Sequence, residues 1–164
     1  MGIKPHRRGA CLRLKTAQNP TERHAMHTAY CFALDLPQAL PAALTTLRAA
    51  LAAEQMGIVS EVDVQATLKN KLGLESHPQR LLGVCSPQIA HALLSAEPDI
   101  AALLPCGCGL SEATPGHTRV VLQDPRVIAA ASGKAEVRAA CELASAAVRR
   151  VADRLAEASL QPAA

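Results

Sequence analysis

Leucines at positions 40, 44, 47 and 51 recur at spacings of four, three and four, which lays one apolar stripe along a helix from about Pro37 to Gln55, ended by Gly57. A second stripe, Val137, Cys141, Ala144, Val148, Val151 and Leu155, alternates four and three over a long helix from Lys134 to about Ala158. Such a stripe suits the chain's own sheet or a partner helix, and for one helix of this length its own sheet is the simpler home. Elsewhere the pattern shortens. Thr28–Leu36, Ile58–Val64 and Arg80–Cys85 predict strands, and Cys106–Glu112 with Thr118–Leu122 predicts a hairpin joined through Pro115-Gly116. Asp63 is placed to cap a short helix, Gln65 to Leu72, that Gly73 terminates. Ser86-Pro87 opens another, with Ser at the N-cap and Pro in the first helical position; it runs to about Ala96, and Pro98 stops it. Asp99 to Leu104 adds a short turn, and a small-residue segment follows Asp124-Pro125.

With 164 residues the chain has enough length for one core, and one domain is the default. The apolar set is mostly Ala, Leu and Val, with Tyr30 and Phe32 as the only aromatics, so the core is aliphatic and the stacking platforms of most single-strand nucleic-acid binders are missing. The net charge of +3 is concentrated at one end. Residues 1–25 hold six Lys or Arg against Glu22 alone, whereas the remainder holds 11 basic and 13 acidic residues. We therefore divide the chain into a basic, disordered extension, 1–25, and a single domain, 26–160; Met26 is an alternative natural start. A nucleic-acid role would rest on that extension only, which makes nucleic acid a poor candidate partner. No continuous apolar stretch follows the basic residues, and Ala39–Ala53 is interrupted by Arg48 and too short for a bilayer. The expectation is a cytoplasmic protein without membrane contact, whose six cysteines stay reduced.

Thiols are its most abundant reactive side chains. Cys85 lies just before a helix start, where the helix dipole favours a thiolate, and His91 follows on the same helix. Cys106 and Cys108, two apart on a strand, present both sulfurs to one face. Cys85, Cys106 and Cys108 are candidate ligands of a soft metal ion or partners in a redox change; packing is the simpler role for each. Cys-x-Cys is a weak motif, and no second pair completes a zinc site. Glu61 and Asp63 share a strand face and offer a carboxylate pair. Phosphate-loop, dinucleotide, metalloprotease and nucleophile-elbow motifs are absent, so no catalytic motif is recognisable.

Glu61-Val62-Asp63-Val64 through Gly73, Leu82-Gly83-Val84-Cys85-Ser86-Pro87 with Ala90-His91, Glu97-Pro98, and Leu103-Leu104-Pro105-Cys106 follow one another in an order and spacing that resembles the domain-of-unknown-function 302 family. The likeness spans about Met26 to Glu157 and includes Asp124-Pro125 and the closing helix. It implies an α+β fold, a curved antiparallel sheet packed by helices, similar to the TATA-binding-protein-like fold, and a homodimer; it implies no established reaction. Gly107-Cys108-Gly109 departs from the family pattern, and two glycines suggest a bulge or a close backbone approach there. The expected function is a homodimeric small-ligand-binding or interaction domain with its pocket near Asp63, Cys85, His91 and Cys106. The alternative is a thiol-dependent protein that binds a soft metal or responds to redox state through Cys85, Cys106 and Cys108.

Overall fold

In the computed structural model, which describes residues 25–160, both leucine-type stripes lie on helices, α1 (Leu40–Ala53) and α5 (Ala135–Leu160). They cover one face of a sheet built from β1 (Ala25–His27), β2 (Cys31–Leu36), β3 (Gly57–Asp63), β4 (Gln79–Cys85), β5 (Cys106–Thr114) and β6 (His117–Gln123). The sheet is six-stranded in the order β1-β2-β6-β5-β4-β3, with every neighbouring pair antiparallel. The remaining helices are α2 (Val64–Leu72), α3 (Pro87–Ala96) and α4 (Arg126–Ala131), with a 3-10 helix at Pro98–Leu103. The architecture is α+β, as expected. Residues 1–24 of the basic extension lie outside the described residues, and Ala25 opens β1.

Two apolar clusters make up the interior. In the larger, Phe32, Leu34, Leu110, Val120 and Leu122 of the sheet meet Leu47 and Leu51 of α1 and Val148, Val151 and Leu155 of α5. In the smaller, Val137 and Cys141 of α5 meet Leu93 of α3, Ile100 and Ile128. Helix α5 is thus shared: its C-terminal half seals the sheet and its N-terminal half gathers the shorter helices. All six positions of its stripe are buried, each such side chain worth about 1.5–3 kcal/mol when large. The stripe therefore faces its own domain.

Local chemistry explains most boundaries. Asp63 caps α2 by accepting from the Ala66 N–H at 2.9 Å, and Gly73 ends it in the left-handed region at φ 67°. Helix α1 has no capping side chain of its own. Glu112, far along the chain, accepts from the Leu40 N–H and from the Gly116 N–H, both at 2.8 Å, and these two donors hold its carboxyl below the usual range.

Four expectations change. The strand drawn from Thr28 to Leu36 is broken, because the Thr28 hydroxyl accepts from the Tyr30 and Cys31 N–H groups and folds the chain into a turn between β1 and β2. The small-residue segment after Pro125 is helix α4. Ser86 occupies the N-cap of α3 but makes no side-chain capping bond. The bulge anticipated at Gly107 and Gly109 falls instead between Ser111 and Thr114, and pairing through Gly107–Gly109 is regular. At Gly109 a Cβ would press on Val121 Cγ2 at 3.0 Å, so the close approach is real there. At Gly83 it would collide with the Pro105 ring and the Ser60 hydroxyl.

Asp124 closes the structure. Only 1% exposed, it sits between β6 and α4 and accepts from the Arg126 backbone N–H at 3.0 Å and from its guanidinium at 2.6 Å. It also accepts from the Ser145 hydroxyl of α5 at 2.9 Å and contacts His27 Nε2 of β1 at 2.8 Å. Burial opposes its ionisation, but Arg126, His27 and Ser145 more than offset that and hold the carboxyl far below its usual range. A depressed folded-state pKa gives stability that is complete above the unfolded value, near pH 4, and is lost as pH falls below it. Asp124→Asn should cost about 2–4 kcal/mol at pH 7, since it sets an amide against donors. Urea titrations at pH 7 and pH 3 check this: the gap to the parent protein narrows at pH 3, and an equal gap at both values would show that the charge is not what matters.

Candidate functional site

The seam between the two apolar clusters is not filled. A cavity of about 220 Å³ lies there. Met56 and Val84 wall it from the larger cluster, Leu93, Leu104 and Cys106 from the smaller, and Ala144 and Ala147 from α5. Cys85, Ser86 and Gln88 line it at the junction of β4 and α3, and Glu54 and Arg150 add charged groups to the wall. Its origin is compositional: α5 sets Ala144 and Ala147 into the seam beside Leu143 and Arg150, and the chain has almost no aromatic side chain large enough to fill the gap.

The sequence-derived site residues separate here. Cys85 and Cys106 share the cavity wall. Cys106 pairs with Val84 across β4 and β5, which brings it beside the end of the strand that carries Cys85. Asp63 stands at the other end of β3, paired with Arg80, whereas Gly57 pairs with Cys85. The intervening six steps of extended chain put Asp63 about 20 Å from the cavity. It is occupied as the α2 cap and in an ion pair with Arg80 Nη2 at 2.9 Å. His91 is exposed on α3 and does not line the cavity, which takes Gln88, Ile89, Ala90 and Leu93 from that helix. Cys108 is on the same strand face as Cys106 but is buried in the larger cluster opposite Leu82 and Leu122. Among the described residues no three His, Cys, Asp or Glu side chains are grouped as ligands of one metal ion, so Cys85, Cys106 and Cys108 do not form the three-sulfur constellation expected from the sequence.

Burial sets the thiol chemistry. It pushes the Cys106 thiol up to about 11, with further help from the neighbouring Cys141 and Cys85, and the Cys108 thiol up to about 12. Both are neutral at pH 7 and act as small apolar groups. Cys141, also raised by burial, sits in the cluster against which Cys106 packs; periodicity marked it only as part of the α5 stripe. Glu54, whose side chain is 8% exposed, accepts from Arg150 Nε at 2.7 Å and from Arg154 Nη2 at 3.2 Å. No sequence signal marked Glu54 or Arg150, because their meeting depends on how α1 and α5 pack.

Ser145, Asp124 and His27 bring together the three residue types of a hydrolytic triad. The wiring is different. Ser145 donates to Asp124 and not to the imidazole, so no base activates its hydroxyl, and the group is a structural clasp.

The family model described as "Domain of unknown function DUF302" matches residues 32–158. Among solved structures, the crystal structure of an uncharacterized conserved protein DUF302 from Bacillus stearothermophilus superposes with a TM-score of 0.69 at 21% identity, covering 77% of this chain and 98% of that one. At that identity the likeness speaks for the fold. No curated protein matches the chain. Among the described residues no helix is long and apolar enough to cross a membrane.

The raised Cys106 thiol gives a direct test. With a pKa of about 11, only about one molecule in a thousand is thiolate at pH 8. Alkylation of native protein, read by mass spectrometry of peptides, should therefore leave Cys106 and Cys108 slow from pH 7 to 9. Labelling of Cys106 at the rate of an ordinary free cysteine at pH 8 would contradict this account.

Proposed function

The chain belongs to the DUF302 family, a domain of unknown function, and on that footing we propose that it is a small-ligand-binding module whose ligand occupies the cavity at the seam of the two clusters. One observation supports the reading: a largely apolar cavity of about 220 Å³ has a few polar and charged groups in its wall, the kind of lining that small-molecule sites have. The thiol-dependent alternative is left with Cys85 and Cys106, and the second of these is held protonated. That favours ligand binding over redox or soft-metal chemistry.

The module works as a homodimer through the sheet face opposite α1 and α5. Met26, Ala33, Val121, Gly109, Leu81 and Val62 are register partners in one apolar row across all six strands. Met26, Leu81 and Val62 are about half exposed, and a depression of about 730 Å³ floored by Gly107 and Gly109 lies between Tyr30 and Leu81. A second copy suits this face because a two-fold axis sets the same apolar row against itself. Six strands, with five gaps between them, carry the row about 24 Å across the sheet.

Two measurements test these statements. Ala147→Phe should fill the cavity and abolish the amide shifts that small aliphatic solutes produce at its lining, with the resonances of strands β1 and β2, which do not line it, unchanged; retained shifts would remove the cavity from consideration. Leu81→Glu should convert a dimer to a monomer in sedimentation equilibrium, and a parent protein already monomeric at about 100 μM, well above the Kd of a standard interface, would dismiss the dimer.

A further inference from the structure

We infer that the ligand of the seam cavity is a small aliphatic carboxylate; this rests on the proposal that the cavity is a binding site. Size is the first constraint. At about 220 Å³ the cavity lies below the roughly 300–1,000 Å³ of sites for drug-sized ligands, so it takes a small molecule. The wall is the second. Met56, Val84, Ile89, Leu93 and Leu104 line it and no aromatic side chain does, so an alkyl tail finds contact where a flat ring would find no stacking partner.

Charge is the third. Glu54 is the one acidic side chain of the lining, and it is shared between Arg150 and Arg154, leaving the three groups with one positive charge in excess. Arg150 commits its Nε to Glu54, while its two terminal amino groups have no partner among the described residues. A guanidinium with unused donors beside an apolar cavity suits a carboxylate, which accepts from two of them at once. A cationic ligand would compete with two arginines for one glutamate. A neutral ligand covering Arg150 would strip water from the guanidinium without returning a charge. Cys106 does not oppose an anion, since burial keeps its thiol neutral at pH 7.

Pentanoate, pentanamide and pentylamine, titrated into the full chain at pH 7 and followed by amide chemical shifts, separate the possibilities. Pentanoate should shift the amides of residues 85–90 and 144–150 and bind more tightly than the other two. Arg150→Gln should weaken pentanoate at least about tenfold, the loss of one charge-assisted contact, and leave pentanamide within about twofold. Glu54 keeps Arg154 in that variant, so its charge does not go unpaired. Pentanamide or pentylamine binding as tightly as pentanoate, or Arg150→Gln weakening pentanoate and pentanamide alike, would overturn the carboxylate assignment while leaving the cavity a binding site. If none of the three shifts those amides, the carboxylate assignment falls. If the shifts survive in Ala147→Phe, the cavity itself is not the place of binding.

Discussion

A carboxylate taken almost wholly out of water, Asp124, is the constraint on which the arrangement of the other elements depends. An unpaired buried charge costs several kcal/mol, so the chain must bring it donors from wherever they lie. Here they come from three places: Arg126 two residues on, Ser145 on α5, and His27 on the edge strand β1. Satisfying one side chain thus ties the long helix to the sheet end and to the end of the edge strand β1. His27 also stacks on Phe32 at 4.5 Å between ring centroids, and Arg149 lies 5.6 Å above the same ring, so the clasp continues into the only buried aromatic side chain.

The position of α5 explains the cavity. One helix serves two clusters, and the clusters belong to different partners: α1 and the sheet on one side, α3, α4 and the 3-10 helix on the other. Between them α5 presents Ala144 and Ala147, and in an interior made of alanine, leucine and valine no bulky neighbour closes the gap. Close packing is the rule for protein interiors, which makes this gap the feature on which the proposed ligand site rests.

The same composition separates the two faces of the sheet. The inner face is sealed by α1 and α5, whereas the outer face keeps an apolar row with glycine at its centre. Gly109 cannot carry a side chain without pressing on Val121, and Gly83 is hemmed in by Pro105 and Ser60, so glycine at these positions is required by the sheet's own packing. The features proposed for ligand and for partner therefore lie on opposite sides of one sheet.

Much of the fold was legible because it is governed by short-range rules. The period of Leu40, Leu44, Leu47 and Leu51, the stripe from Val137 to Leu155, the Asp63 cap and the Gly73 stop are each settled within a few residues. The Thr28 turn and α4 escaped because a β-branched hydroxyl and a run of alanines are locally ambiguous between strand, turn and helix. The site was half legible. Cys85 and Cys106 carry visible chemistry and neighbouring strands join them, but strand pairing sends Asp63 to the far end of β3, and His91 lies exposed on α3. By itself the sequence determined the elements, the family resemblance and the aliphatic character of the core. Only the tertiary structure decided that Arg150 and Glu54 meet beside the thiols, because register and helix crossing are set by contacts between residues up to about a hundred positions apart, which no local period encodes.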